Sequence, residues 1–115
     1  MAKSKYFVIS CMDPRFQESC DKAIKDLGIK YGEFDRVMVA GGAGNFAVLQ
    51  DQLKKSVELH GVSEVVLIVH EDCGGGACKE DLTKAEALVK KTYPALKIRK
   101  MYLCLNGTAE TISCQ

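Results

Sequence analysis

A chain of 115 residues is long enough for one domain with its own core. Apolar residues make up 47%, charged residues 27%, and the net charge is +1, a balance that gives no reason to expect a nucleic acid or an anionic membrane as partner. The longest apolar run, residues 65–69, is too short to cross a bilayer, and the N-terminal MAKSKYFVIS makes a poor signal peptide, so a cytoplasmic chain is expected.

Residues 6–10 (YFVIS) are β-branched and aromatic and predict a buried strand. A helix follows, with Phe16, Cys20, Ala23, Ile24 and Leu27 at its apolar positions and Gly28 as its stop. Residues 34–40 (FDRVMVA) predict a second strand, and residues 41–45 (GGAGN) a loop. A second helix spans residues 46–60, with Phe46, Leu49, Leu53 and Val57 on one face and Gly61 ending it. Residues 64–69 (EVVLIV) are apolar on consecutive positions, as in a parallel strand covered on both faces. A glycine-rich loop over 70–78 leads to a third helix over 79–92, which Pro94 prevents from continuing. Residues 97–105 predict a fourth strand, and Asn106-Gly107 a hairpin turn that returns residues 108–113 as an antiparallel edge strand.

This order predicts an α/β fold, a three-layer sandwich in one domain over residues 1–115. Its mainly parallel four-stranded sheet has the order 2-1-3-4, with the antiparallel edge strand as an option at the C-terminus. Such sheets place their chemistry beyond the carboxyl ends of the strands where the winding reverses. Here that point lies between strands 1 and 3, which Cys11 and His70 immediately follow.

Of the six cysteines, Cys20, Cys78, Cys104 and Cys114 read as core or incidental thiols, although Cys78 is close enough in sequence to Cys73 for redox pairing. Without a signal peptide, metal or catalytic use of cysteine outranks a disulfide framework. Zinc favours thiolate and imidazole ligands, and Cys11, His70 and Cys73 make a three-ligand set with a fourth position for water. The bland reading of Cys11 and Cys73 is that they are small buried hydrophobes.

Asp13 and Arg15 follow Cys11 by two and four residues, and Arg15 can hold Asp13 in a forked contact. Asp13 then either orients water on the metal or becomes the fourth ligand. It also suits a helix cap, with Pro14 in the first turn. Gly74 and Gly75 let the backbone approach the metal, and their N–H groups, with those opening the third helix, are candidates to hold an anion such as bicarbonate. His60, at the end of the second helix, is explained by the helix dipole.

These motifs resemble the β-class carbonic anhydrases. The family pattern C-x-D-x-R appears as Cys11-Met12-Asp13-Pro14-Arg15, and H-x-x-C-G as His70-Glu71-Asp72-Cys73-Gly74. The family's Ala-Gly-Asn loop appears as Ala43-Gly44-Asn45. The resemblance implies zinc on Cys11, His70 and Cys73, an Asp13–Arg15 dyad beside it, and reversible hydration of carbon dioxide by zinc-activated water. It also implies a homodimer whose partner chain walls the site. Gly41-Gly42 stand where the family often has Arg-Asn, and the helical arm that wraps the partner is not among these residues. Two alternatives follow: a zinc-binding module without catalysis, and a related hydrolase of carbon disulfide or carbonyl sulfide.

Overall fold

β3 (Glu64–His70) is buried at all seven positions, as its continuous apolar run requires of a strand covered on both faces. The structure, a computed structural model, describes residues 2–112. Around β3 lie β1 (Tyr6–Ser10), β2 (Phe34–Met38), β4 (Lys97–Leu103) and β5 (Ala109–Ile112), in the sheet order β2-β1-β3-β4-β5. The first four strands are mutually parallel and β5 pairs antiparallel with β4, which places the expected edge strand at the C-terminal side. The predicted end of that strand at Ser113, and Cys114, lie outside the described residues.

Three helices connect the parallel strands: α1 (Gln17–Asp26), α2 (Phe46–His60) and α3 (Asp81–Thr92). Successive strand side chains point to opposite faces, so two cores form. Phe7, Ile9, Val65, Leu67 and Val69 pack with Leu49 and Leu53 of α2 and with Leu82, Ala85 and Val89 of α3. Val8, Val66, Ile68, Met101 and Leu103 pack on the other face with Phe16 and with Cys20, Ala23 and Ile24 of α1. Fully burying a side chain such as Leu67 contributes about 1.5–3 kcal/mol, so the alternation of these residues holds the three layers together.

Local chemistry sets the element ends. Asn45 caps α2 by accepting the Val48 N–H, and Gly61, at φ 69, closes it in the left-handed conformation. β2 ends at Met38, two residues before the expected end, because the chain turns back at Gly41 (φ 88) with the Gly42 N–H donated to the Val39 carbonyl. α3 begins at Asp81, not 79, after turns in which the N–H groups of Asp81 and Leu82 are donated to the carbonyls of Cys78 and Lys79. β4 ends at Leu103, where the Cys104 N–H closes the hairpin onto the Thr108 carbonyl. Among the described residues, no helix is long and apolar enough to cross a membrane.

Candidate metal centre

β1 and β3 run side by side, so Cys11, just beyond β1, and His70, the last residue of β3, emerge at one edge of the sheet. The turn after β3 returns Cys73 to the same place. One ligand atom from each of Cys11, His70 and Cys73 lies within 4.8 Å of the other two. Zinc–sulfur bonds of about 2.3 Å and zinc–nitrogen bonds of about 2.0 Å bring such a trio onto one ion with little movement.

His70 is 2% exposed, and its Nδ1 lies 2.7 Å from the Glu71 carbonyl oxygen. A carbonyl only accepts, so Nδ1 donates, which in the neutral tautomer leaves the lone pair on Nε2. That Nε2 is buried without a hydrogen-bond partner. A buried polar atom left unsatisfied costs about 1–3 kcal/mol, and a cation between His70 and the two thiols removes that penalty. Two sulfurs and one imidazole nitrogen are the donor set that zinc favours, so the residues present fit the ion.

Arg15 holds the Asp13 carboxylate through four contacts. The guanidinium donates from Nη2 to Oδ2 at 2.7 Å and from Nε to both carboxylate oxygens at 3.1 and 3.2 Å, and the Arg15 backbone N–H donates to Oδ1 at 2.9 Å. The backbone contact caps the 3-10 turn Pro14–Phe16, so the cap and the dyad coexist. The guanidinium hydrogen bonds, and then the backbone one, hold the Asp13 carboxyl down to about 2. Asp13 is therefore an acceptor at every physiological pH. Its Oδ2 stands 3.9 Å from His70 Nε2, too far for a hydrogen bond, so the carboxylate is turned to Arg15.

Three partners of the site carried no motif in the sequence. Phe16, read there only as an apolar helix position, stacks on the His70 imidazole with ring centroids 4.1 Å apart. Asp72 receives the other edge of the Arg15 guanidinium, Nη1 reaching its Oδ2 at 3.1 Å and Nη2 its backbone oxygen at 3.0 Å. Glu71 ties the loop to the β4–β5 hairpin by accepting the Leu105 N–H at 2.9 Å. Only the short spacing of Asp13, Arg15 and Asp72 from the cysteines hinted at such contacts.

The Gly42–Gly44 turn is wedged beneath the centre. A Cβ on Gly42 would stand 2.5 Å from the Ile68 oxygen and 2.9 Å from the Cys11 nitrogen, which leaves no room here for the Asn that the β-class often carries. Gly75 lies against Gly41, and a Cβ on it would come within 3.0 Å of the Gly41 nitrogen, while Gly74 faces open space beside Cys73. The first turn of α3 carries Asp81, whose Oδ2 accepts the Cys78 N–H at 3.0 Å.

His60 stands apart from the centre. Beyond its place at a helix end it has a specific partner, with Nδ1 2.8 Å from each Asp35 oxygen, while Ser4 and Ser56 also donate to that carboxylate. Cys20 lies in the core on the α1 side, and Cys11, Cys20, Cys73, Cys78 and Cys104 are all free thiols.

The chain and its fold have relatives. A family model described as "Putative carbonic anhydrase" matches residues 1–113. An uncharacterized protein of Rickettsia bellii is 25% identical, over 91% of this chain and 79% of its own. The solved structure of a carbonic anhydrase from Glaciozyma antarctica superposes with a TM-score of 0.76 at 19% identity, covering 98% of this chain and 85% of that one. A tetrameric β-carbonic anhydrase from Sordaria macrospora superposes with a TM-score of 0.63 at 14% identity, covering 99% and 83%. The chain belongs to the family of that model, the carbonic anhydrase-like proteins, and its fold is that of the β-carbonic anhydrases.

Proposed function

We propose that this protein is a zinc-dependent lyase that hydrates carbon dioxide reversibly to bicarbonate, with Cys11, His70 and Cys73 as metal ligands. The observation that carries this reading is the bare, buried Nε2 of His70 beside two thiols, in a chain of this family. When bound, zinc supplies the Lewis acidity that makes water a nucleophile near neutral pH.

The chain's own residues supply orientation. Asp13, ionised and fixed by Arg15, has Oδ2 3.9 Å from His70 Nε2, where it would accept a hydrogen bond from water at the metal and so set the direction in which that water's proton points. The Glu71 carbonyl and the Phe16 ring hold the imidazole in one tautomer and one plane. The Gly74 and Gly75 N–H groups are the donors we assign to the bicarbonate oxygens. Met12 and Leu105, 58% and 52% exposed just beyond β1 and β4, are the surface we assign to a second copy, which would complete the apolar wall of a homodimer site. Zinc binding requires reduced thiols, which the cytoplasm maintains.

Stopped-flow measurement on zinc-loaded protein tests the reading at pH 7 and at pH 9. Hydration above the buffer rate is expected, with Asp13→Ala reducing turnover while zinc stays bound. Zinc-loaded protein that shows no hydration at either pH overturns it. The same assay with carbonyl sulfide and carbon disulfide separates the substrates.

A further inference from the structure

We propose that Asp72 is a positioning residue of the metal centre, acting through Arg15 to set the spacing of the two loops that carry Cys11 and Cys73. The inference rests on the reading that these cysteines and His70 hold zinc.

A guanidinium is a flat fork with donors on two edges. Arg15 uses both. Its Nε and Nη2 engage Asp13, two residues after Cys11. Its Nη1 and Nη2 engage Asp72, one residue before Cys73, through both Oδ2 and the backbone oxygen. One rigid plane thus spans the loop that follows β1 and the loop that follows β3.

Asp72 is also the single non-glycine residue with positive φ among the described residues, at φ 56. That left-handed conformation is unfavourable for an L-residue, and Asp and Asn tolerate it best. In it, Asp72 presents its carboxylate and its own carbonyl to the same guanidinium. The Asp72 side chain is 70% exposed, so its ion pair contributes little to global stability. A strained backbone and a two-point contact that do little for the fold are accounted for by what they hold, the Cys73 loop against the Cys11 loop. Groups that orient metal ligands from behind typically change metal affinity by roughly tenfold or more when removed.

The test is zinc affinity by chelator competition, together with the visible spectrum of the cobalt-substituted protein, on Asp72→Ala, Asp72→Asn and Asp72→Gly. Asp72→Ala is expected to bind zinc about tenfold more weakly and to shift the cobalt bands, with the unfolding midpoint of the metal-free protein lowered only by the left-handed backbone penalty, which Asp72→Gly does not carry. Asp72→Asn keeps an acceptor oxygen and tolerates the backbone, and is expected to recover most of the affinity. Asp72→Gly relieves the backbone without restoring the acceptor, and is expected to match Asp72→Ala in zinc affinity. Wild-type affinity in Asp72→Ala or Asp72→Gly overturns the proposal, and so does a wild-type protein that takes up no zinc. Zinc binding with this Asp72 dependence but no hydration of carbon dioxide supports the inference and overturns the proposed activity alone.

Discussion

The ring of Phe16 lies flat against the imidazole of His70, with centroids 4.1 Å apart and planes 24° from parallel. Phe16 is 3% exposed, and the Arg15 guanidinium carbon sits 5.5 Å from its centroid. The packing that closes the α1-side core therefore also fixes a candidate metal ligand.

Two substitutions at Phe16 separate packing from stacking. Phe16→Ala empties a buried site and is expected to cost about 3–5 kcal/mol in urea unfolding of the metal-free protein. Phe16→Leu keeps most of the apolar burial and loses the aromatic contact, worth about 0.5–1.5 kcal/mol. Weaker zinc binding in the Leu variant is expected; affinity equal to wild type would mean that bulk, and not the stacked ring, holds His70.

Zinc itself is expected to stabilise the fold. A ligand that binds only the native state at a free concentration a hundredfold above its Kd adds about 2.7 kcal/mol. Thermal unfolding with zinc and with excess chelator measures the difference. Cys11→Ser, His70→Ala and Cys73→Ser should each reduce or abolish it. A zinc increment that survives all three would place the ion elsewhere.

The acid limb of stability carries a signature of the dyad. Asp13 is held down to about 2 from an ordinary value of 3.8, so the unfolded chain takes up the proton first as the pH drops. The stability that Asp13 contributes is complete above its ordinary value and is lost as pH falls toward about 2. Asp35 is also lowered: burial pushes it up, but hydrogen bonds from Ser56, Ser4 and His60 outweigh that, so it acts in the same direction. Urea midpoints of metal-free wild type and Asp13→Asn from pH 6 to pH 2 isolate the Asp13 share. The two curves should converge toward the acid end. Arg15→Lys, which has no fork, should bring the Asp13 carboxyl back up in a carbon-13 NMR titration.

The mainly parallel sheet was legible because strands and helices alternate along the chain. The consecutive apolar residues of β3 mark a strand covered on both faces, and the Asn-Gly turn marks the return to β5. Cys11 and His70 were legible because parallel topology brings two strand ends together wherever the winding reverses. The contacts of Phe16 and Asp72 were not. Phe16 is an ordinary apolar position of a helical pattern until the loop after β1 tips it onto His70. Asp72 is an ordinary loop acid until a left-handed turn aims two of its oxygens at a guanidinium 57 residues earlier in the chain. Such contacts depend on how two loops meet, and neither loop's sequence states that alone. Asp35 hid for the same reason, since Ser4, Ser56 and His60 come from separate parts of the chain.

Gly42 offers a test of how tightly the loop after β2 is built into the centre. At φ 53 it already favours glycine, and the three nearest atoms an added Cβ would meet are all backbone: the Ile68 oxygen at 2.5 Å, the Cys11 nitrogen at 2.9 Å and the Ser10 carbonyl carbon at 3.1 Å. Backbone cannot swing aside as a flexible side chain can, so the ends of β1 and β3 must separate. Gly61 is the control, because at φ 69 it shares the strained conformation but has no atom within 4 Å of an added Cβ. Gly61→Ala is expected to lose only the conformational penalty, about 1–2 kcal/mol, and to bind zinc as wild type does. Gly42→Ala adds overpacking of about 1–3 kcal/mol to the same penalty. It is also expected to bind zinc more weakly, because the displaced atoms belong to the strand ends that carry Cys11 and His70. Urea unfolding and chelator competition on the two variants decide the point, and equal effects at both positions would show that the Gly42 turn is not coupled to the metal site.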